Sequence, residues 1–147
     1  MKFTLVRSAI KELQASRQPV PANGQTTVTN RTEHGFATGI VTGSDQGIAV
    51  INTTFKIEGR GQNKEVFFDV RIVHECLLHT ALIMEDRHVA DANIMGPLMH
   101  AATGLAHTAA TQMLHSMGIF VPLSYPDFKV TFAPDLANPQ PQEQITL

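Results

Sequence analysis

Tryptophan is absent from the chain, and Tyr125 is its single tyrosine. That scarcity argues against a stacking platform for nucleic-acid bases or a sugar-binding cleft. Cysteine occurs once, at Cys76, which excludes an internal disulfide and fits a reducing compartment. The formal net charge is −2, with neither a basic excess to attract nucleic acid nor a polybasic run for a membrane surface. Met1 to Leu13 carries Lys2, Arg7 and Lys11 at intervals and no apolar run, so no signal peptide is expected and a cytoplasmic location is. The most informative absence is local. Lys, Arg, Asp and Glu are all missing from Ala92 to Tyr125, with Asp91 just before the stretch and Asp127 just after it.

Within that stretch, Pro97 to Met117 reads as one helix. Proline suits a first helical turn and Gly118 suits the position just past the end. A surface helix normally carries charge on its wet side, so most of this helix's circumference is expected to be covered. Gln112, Thr103, Thr108, Thr111, Ser116 and three histidines make it too polar to span a membrane, and no membrane insertion is expected. Leu98, Ala102, Leu105, Ala109 and Met113 form a stripe, read as the interface of a homo-oligomer. A central helix wrapped within its own monomer is the alternative. His100, His107 and His115 would lie at that seam, so the oligomer is expected to weaken below about pH 6 as they become charged.

A chain of 147 residues is one domain with a core of its own. Met1 to Ser16 fits either strand or helix spacing, and strand is preferred. Thr26 to Thr29 and Phe36 to Thr42 read as separate strand pieces. Ile48 to Glu58 alternates most clearly, with Ala49, Ile51, Thr53, Phe55 and Ile57 on one face. After the loop Gly59 to Asn63, Val66 to Leu78 reads as a long strand. Its outer face is unusual in mixing Asp69, Arg71 and Glu75 with Phe67, Val73 and Leu77. Three strands in succession with short turns predict an antiparallel meander. Met84 to Asp91 reads as a charged linker, and residues 138–147 as a polar tail after a single domain spanning 1–137.

The histidines do not make a convincing metal site. His100 and His107 are seven apart, a rise of roughly 10 Å along a helix, whereas shared ligands need a spacing of three or four. His74 and Cys76 share a strand face, but a buried core cysteine is far commoner than a thiol nucleophile. No phosphate loop, dinucleotide turn, nucleophile elbow or carboxylate pair is present. No catalytic residue and no cofactor is expected.

Three stretches carry a family resemblance. They are Phe3-Thr4-Leu5-Val6-Arg7 with Lys11-Glu12-Leu13; Val66-Phe67-Phe68-Asp69-Val70; and Ser116-Met117-Gly118-Ile119-Phe120-Val121-Pro122-Leu123 with Phe128 beyond. In this order the chain resembles the SecB family of protein-export chaperones over most of Lys2 to Ala133. The resemblance implies an α+β fold, with a four-stranded antiparallel sheet and one long helix in the C-terminal half. It also implies a dimer of dimers packed through those helices. Such proteins hold unfolded polypeptide in apolar grooves, bind no nucleotide, break no bond and hand clients to the SecA motor.

On that reading Phe67, Val73, Leu77, Ile119, Phe120, Val121 and Tyr125 are candidate client contacts, and Met84, Met95 and Met99 suit an adaptable surface. Glu12, Glu65 and Asp69 are candidate docking acids. The family is strongly acidic, and Ser16 stands here where it has a further acid. Its acidic tail is replaced by the almost uncharged residues 138–147. These departures weaken the expectation that SecA docks. The alternative function is a structural or assembly subunit, in a phage or secretion particle, built on the same fold.

Overall fold

Alternating strands and one long helix are what the computed structural model shows; it describes residues 2–19, 26–121 and 123, and the backbone of Glu143–Ile145. Four long strands follow one another: β1 (Phe3–Arg17), β2 (Thr27–Val41), β3 (Gly47–Arg60) and β4 (Val66–Thr80). A short helix α1 (Asp86–Val89) and the long helix α2 (Ala92–Ser116) come next, and a short strand β5 (Glu143–Ile145) lies last. The sheet order is β1-β4-β3-β2-β5. Strands β2, β3 and β4 form the expected meander, and β1 pairs antiparallel with the far side of β4. β5 runs parallel to the end of β2, against Gly39–Val41.

Two of the expected segments differ in extent. Thr26 to Thr29 and Phe36 to Thr42 are parts of a single strand, β2, paired with β3 from Thr27 to Ile40. The helix begins five residues before Pro97. Asp91 caps it, its carboxylate accepting the Asn93 N–H at 2.9 Å. Pro97 therefore lies inside α2, where it cannot donate to the preceding turn. Packing of Met95, Leu98 and Met99 against the sheet holds the helix on both sides of it. The exit is as the sequence predicts. Gly118 has φ +75°, its N–H reaches the His115 carbonyl, and the Ile119 N–H reaches the Leu114 carbonyl at 2.9 Å.

α2 lies across one face of the sheet and makes the core in two parts. Under its N-terminal half, Ala49, Ile51, Cys76, Leu78, Met84, Met95, Leu98, Met99 and Ala102 pack together. Under its C-terminal half, Phe55, Ile57, Val70, Ile72, Ala106, Ala110, Leu114, Ile119 and Leu123 do so. Small helix residues face the bulkiest sheet residues, which lets the helix approach closely.

β1 is an edge strand. Apart from Phe3 and Ile10 it is exposed throughout, and its pairing with β4 is interrupted between Leu5 and Arg7 and between Ile10 and Glu12. Each break is a bulge that leaves one residue, Val6 or Lys11, out of register.

Candidate functional site

Open apolar surface gathers along β1 and α2. A cleft of about 450 Å³ separates the edge strand from the N-terminal half of the helix. Phe3 and Leu5 line it from β1, Cys76 and Leu78 from β4, and Leu98, Ala101, Ala102 and Leu105 from α2, with Lys2 and Pro97 at its margin. Leu5 and Leu105 are both at least 40% exposed. One wall of the cleft is the strand whose outer edge carries no ladder partner among the described residues. An extended chain laid there would meet apolar side chains and free backbone groups together, the two elements of strand addition.

The residues singled out from the sequence are distributed otherwise. Phe67, Val73 and Leu77 do lie on the face away from α2, but they are only 6–7% exposed. Val73 is flanked by Glu12 and Thr54, and Leu77 by Arg7 and Val50. Ile119 is buried in the second core cluster, and Val121 packs against it half-buried. Phe120 is 76% exposed, with its ring centroid 5.1 Å from that of His115. Tyr125 lies outside the described residues. Met84, Met95 and Met99 are core residues in this chain.

The helix stripe splits in the same way. Leu98 and Ala102 pack in the chain's own core and line the cleft, whereas Leu105 is exposed and Ala109 and Met113 are half-buried. The sheet-facing set is instead Met95, Leu98, Met99, Ala102, Thr103, Ala106, Ala110 and Leu114. Sequence reasoning missed Leu5, Pro97 and Ala101 as cleft residues. The only signal for them was Leu5's place in the alternating start of β1.

The face opposite the helix is polar and laced with ion pairs. Arg7 and Lys11 hold Glu75, Arg71 reaches Glu12 at 2.6 Å, and both Lys56 and Arg31 reach Glu33. A shallow hollow of about 550 Å³ on this face mixes Arg31, Lys56 and Arg71 with Glu58 and Asp69. Of the candidate docking acids, Glu12 is spent on Arg71, while Glu65 and Asp69 are exposed. The Arg7 guanidinium, hydrogen-bonded to Glu75, holds that carboxyl below its ordinary value.

The His74–Cys76 pair is buried on the helix side of β4. Burial pushes the Cys76 thiol up, away from an activated thiolate. His74 Nε2 lies 2.8 Å from Ser8 Oγ. No group of three or more His, Cys, Asp or Glu side chains able to hold a metal occurs among the described residues. No helix among them is long and apolar enough to cross a membrane.

No family model and no curated protein matches the chain. Among solved structures it is similar to the Mycobacterium tuberculosis Rv1957 SecB-like chaperone, solved with a ChAD peptide from the Rv1956 HigA1 antitoxin. The TM-score is 0.56 at 16% identity, over 88% of this chain and 93% of that one. With four long antiparallel strands in its sheet, its long helix and this neighbour over nearly its full length, the chain has the SecB-like fold.

Proposed function

We propose that the chain is a SecB-like holdase, binding unfolded or aggregation-prone polypeptide segments without nucleotide. The observation that carries the reading is the apolar cleft along a free strand edge. The neighbour's peptide, drawn from an antitoxin, supports a polypeptide as the occupant. Leu5 and Leu105 in the cleft, with Phe120 at the helix exit, are the exposed contacts. Phe67, Val73 and Leu77 contribute only where the side chains around them part. Such a protein lowers the free concentration of unfolded client by mass action.

The functional unit in this reading is a homo-oligomer, a dimer of dimers, joined through the outer side of α2. Ala109 and Met113, neither of them fully covered in the monomer, belong to that contact. Ala109→Glu places an unpaired carboxylate in it and is expected to lower the oligomer mass in light scattering. An unchanged mass would remove the helix from the interface. SecA is not proposed as a partner, because Glu12 is already paired and the chain as a whole is nearly neutral.

The direct test dilutes an unfolded client from denaturant with and without stoichiometric protein, in the absence of nucleotide. Aggregation suppressed at a fixed ratio of client to oligomer, and restored by Leu105→Asp, is the expected outcome. A stable oligomer that suppresses nothing would reject the holdase and leave the assembly-subunit reading.

A further inference from the structure

Between the two core clusters the helix–sheet contact is polar. His34 on β2 is paired with Thr53 on β3, and Thr53 with His74 on β4, so one row crosses three strands on the helix side. On α2, the buried Thr103 lies between Ala102 of the first cluster and Ala106 of the second. Thr53 and Thr103 have no exposed surface and His74 has 1%. Thr53 Oγ1, Thr103 Oγ1 and His74 Nδ1 have no hydrogen-bond partner among the described residues. A core that needed only adhesion would be apolar here.

We propose that this row is an acid-operated latch: protonation of His74 in mildly acidic solution releases α2 from the sheet.

The charges around the row set the direction. A buried imidazolium needs a counter-ion. Among the described residues no helix-facing position of β1 to β4 carries a carboxylate, and α2 has none from Ala92 to Ser116. β1 brings Ser8 and Ile10 to His74, β3 brings Thr53, and β2 brings His34. The helix brings Thr103; its own titratable groups nearby are His100, which is exposed, and His107, whose Nε2 lies 2.8 Å from the Leu123 carbonyl. Cys76, two residues along β4, stays a neutral thiol. The carboxylate next to His74 is Glu75, which lies on the opposite face and is already held by Arg7 and Lys11.

Burial therefore lowers both histidines from their ordinary 6.5, with Glu75 offsetting the shift only in part at His74. The released state binds protons more readily than the docked state. Docking is thus at full strength above about pH 6.5 and weakens as pH falls below it. Titration of His74 contributes at most about tenfold in the docked-to-released ratio per pH unit. This places the acid response inside each monomer rather than at the histidines expected to line an oligomer seam.

Cys76 supplies the readout. It is the sole cysteine, 1% exposed, and lies in the first cluster beneath α2. The experiment labels it in the full chain with 4,4′-dithiodipyridine, which reacts with thiols in weak acid, from about pH 7.5 to about pH 5. Each rate is divided by that of the urea-unfolded chain at the same pH. The expected result is a normalised rate that climbs about tenfold or more below pH 6.5. His74→Gln should flatten most of the climb, and the exposed-site control His100→Gln should keep it. A flat wild-type profile overturns the proposal, and so does a climb of equal size in His74→Gln. Should His74→Gln fail to fold, proton NMR of the wild-type imidazole decides. Titration of His74 below 6.5 alongside the labelling climb supports the latch, and titration at or above 6.5 rejects it.

Discussion

Thr103→Val is expected to make the protein more stable. The hydroxyl at this position has no exposed surface, and its Oγ1 has no hydrogen-bond partner among the described residues. Leaving such a group unbonded in a core costs about 1–3 kcal/mol. Valine has nearly the same shape and about the same helix propensity, so neither packing nor α2 itself should change. Removing the hydroxyl should therefore recover about 1–2 kcal/mol, or roughly 3–8 °C in the melting midpoint of a chain this size. The assay is urea unfolding followed by circular dichroism at neutral pH. It is repeated at two protein concentrations so that any oligomer contribution shows as a shift with concentration. A gain in the unfolding midpoint with an unchanged slope is the expected result. Equal or lower stability would refute the reasoning, because the Thr103 hydroxyl would then have to be satisfied in solution.

Three further outcomes follow from the same structure. Asp91→Ala removes the cap on the Asn93 N–H and should cost about 1 kcal/mol, with hydrogen exchange rising first at the start of α2. Gly59→Val should cost about 1–3 kcal/mol, because the Phe68 ring occupies the space a side chain at Gly59 would take; a compensating Phe68→Ala should restore part of it. Glu75 is held below its ordinary value of 4.5, so its contribution to stability is present above that pH and is lost as the pH falls through the depressed value. Glu75→Gln should therefore be less stable than wild type at neutral pH and converge with it in strong acid, as read by denaturant titrations across that range.

β3 and β4 were legible because their alternation is regular and one face is strongly apolar. β2 was not legible as a whole, since its helix-facing positions include Asn30, Thr32 and His34, which break the apolar alternation; pairing with β3 along its length holds it straight. The start of α2 was obscured by Pro97, although Asp91 stood in the sequence as an N-cap. Which side of the helix meets the sheet was not legible, because Phe55, Ile57 and Ile72 fill the sheet side and the small Ala106 and Ala110 pack against them, leaving Leu105 on the outer side. The candidate contacts on β4 failed to appear as an open groove because flanking strands, invisible in a single segment, cover Val73 and Leu77. The cleft itself joins residues from the two ends of the chain, Leu5 and Leu105 among them, and no local pattern can announce that.

The breaks in β1 have a consequence for what this protein must avoid. Templated fibre growth needs a long, straight row of unmet backbone N–H and C=O groups. β1 spans 15 residues, but the offsets at Val6 and Lys11 divide its ladder into three short lengths, each re-aiming the strand. A chain adding to the outer side could follow one length and would then fall out of register, so recruitment would stop before a second strand was offered a clean template. Lys2, Arg7, Lys11 and Arg17, spaced along the same margin, set like charges against another copy approaching edge to edge. Irregularity in the ladder is thus what allows a protein to keep an open edge without seeding the aggregates it would be there to prevent.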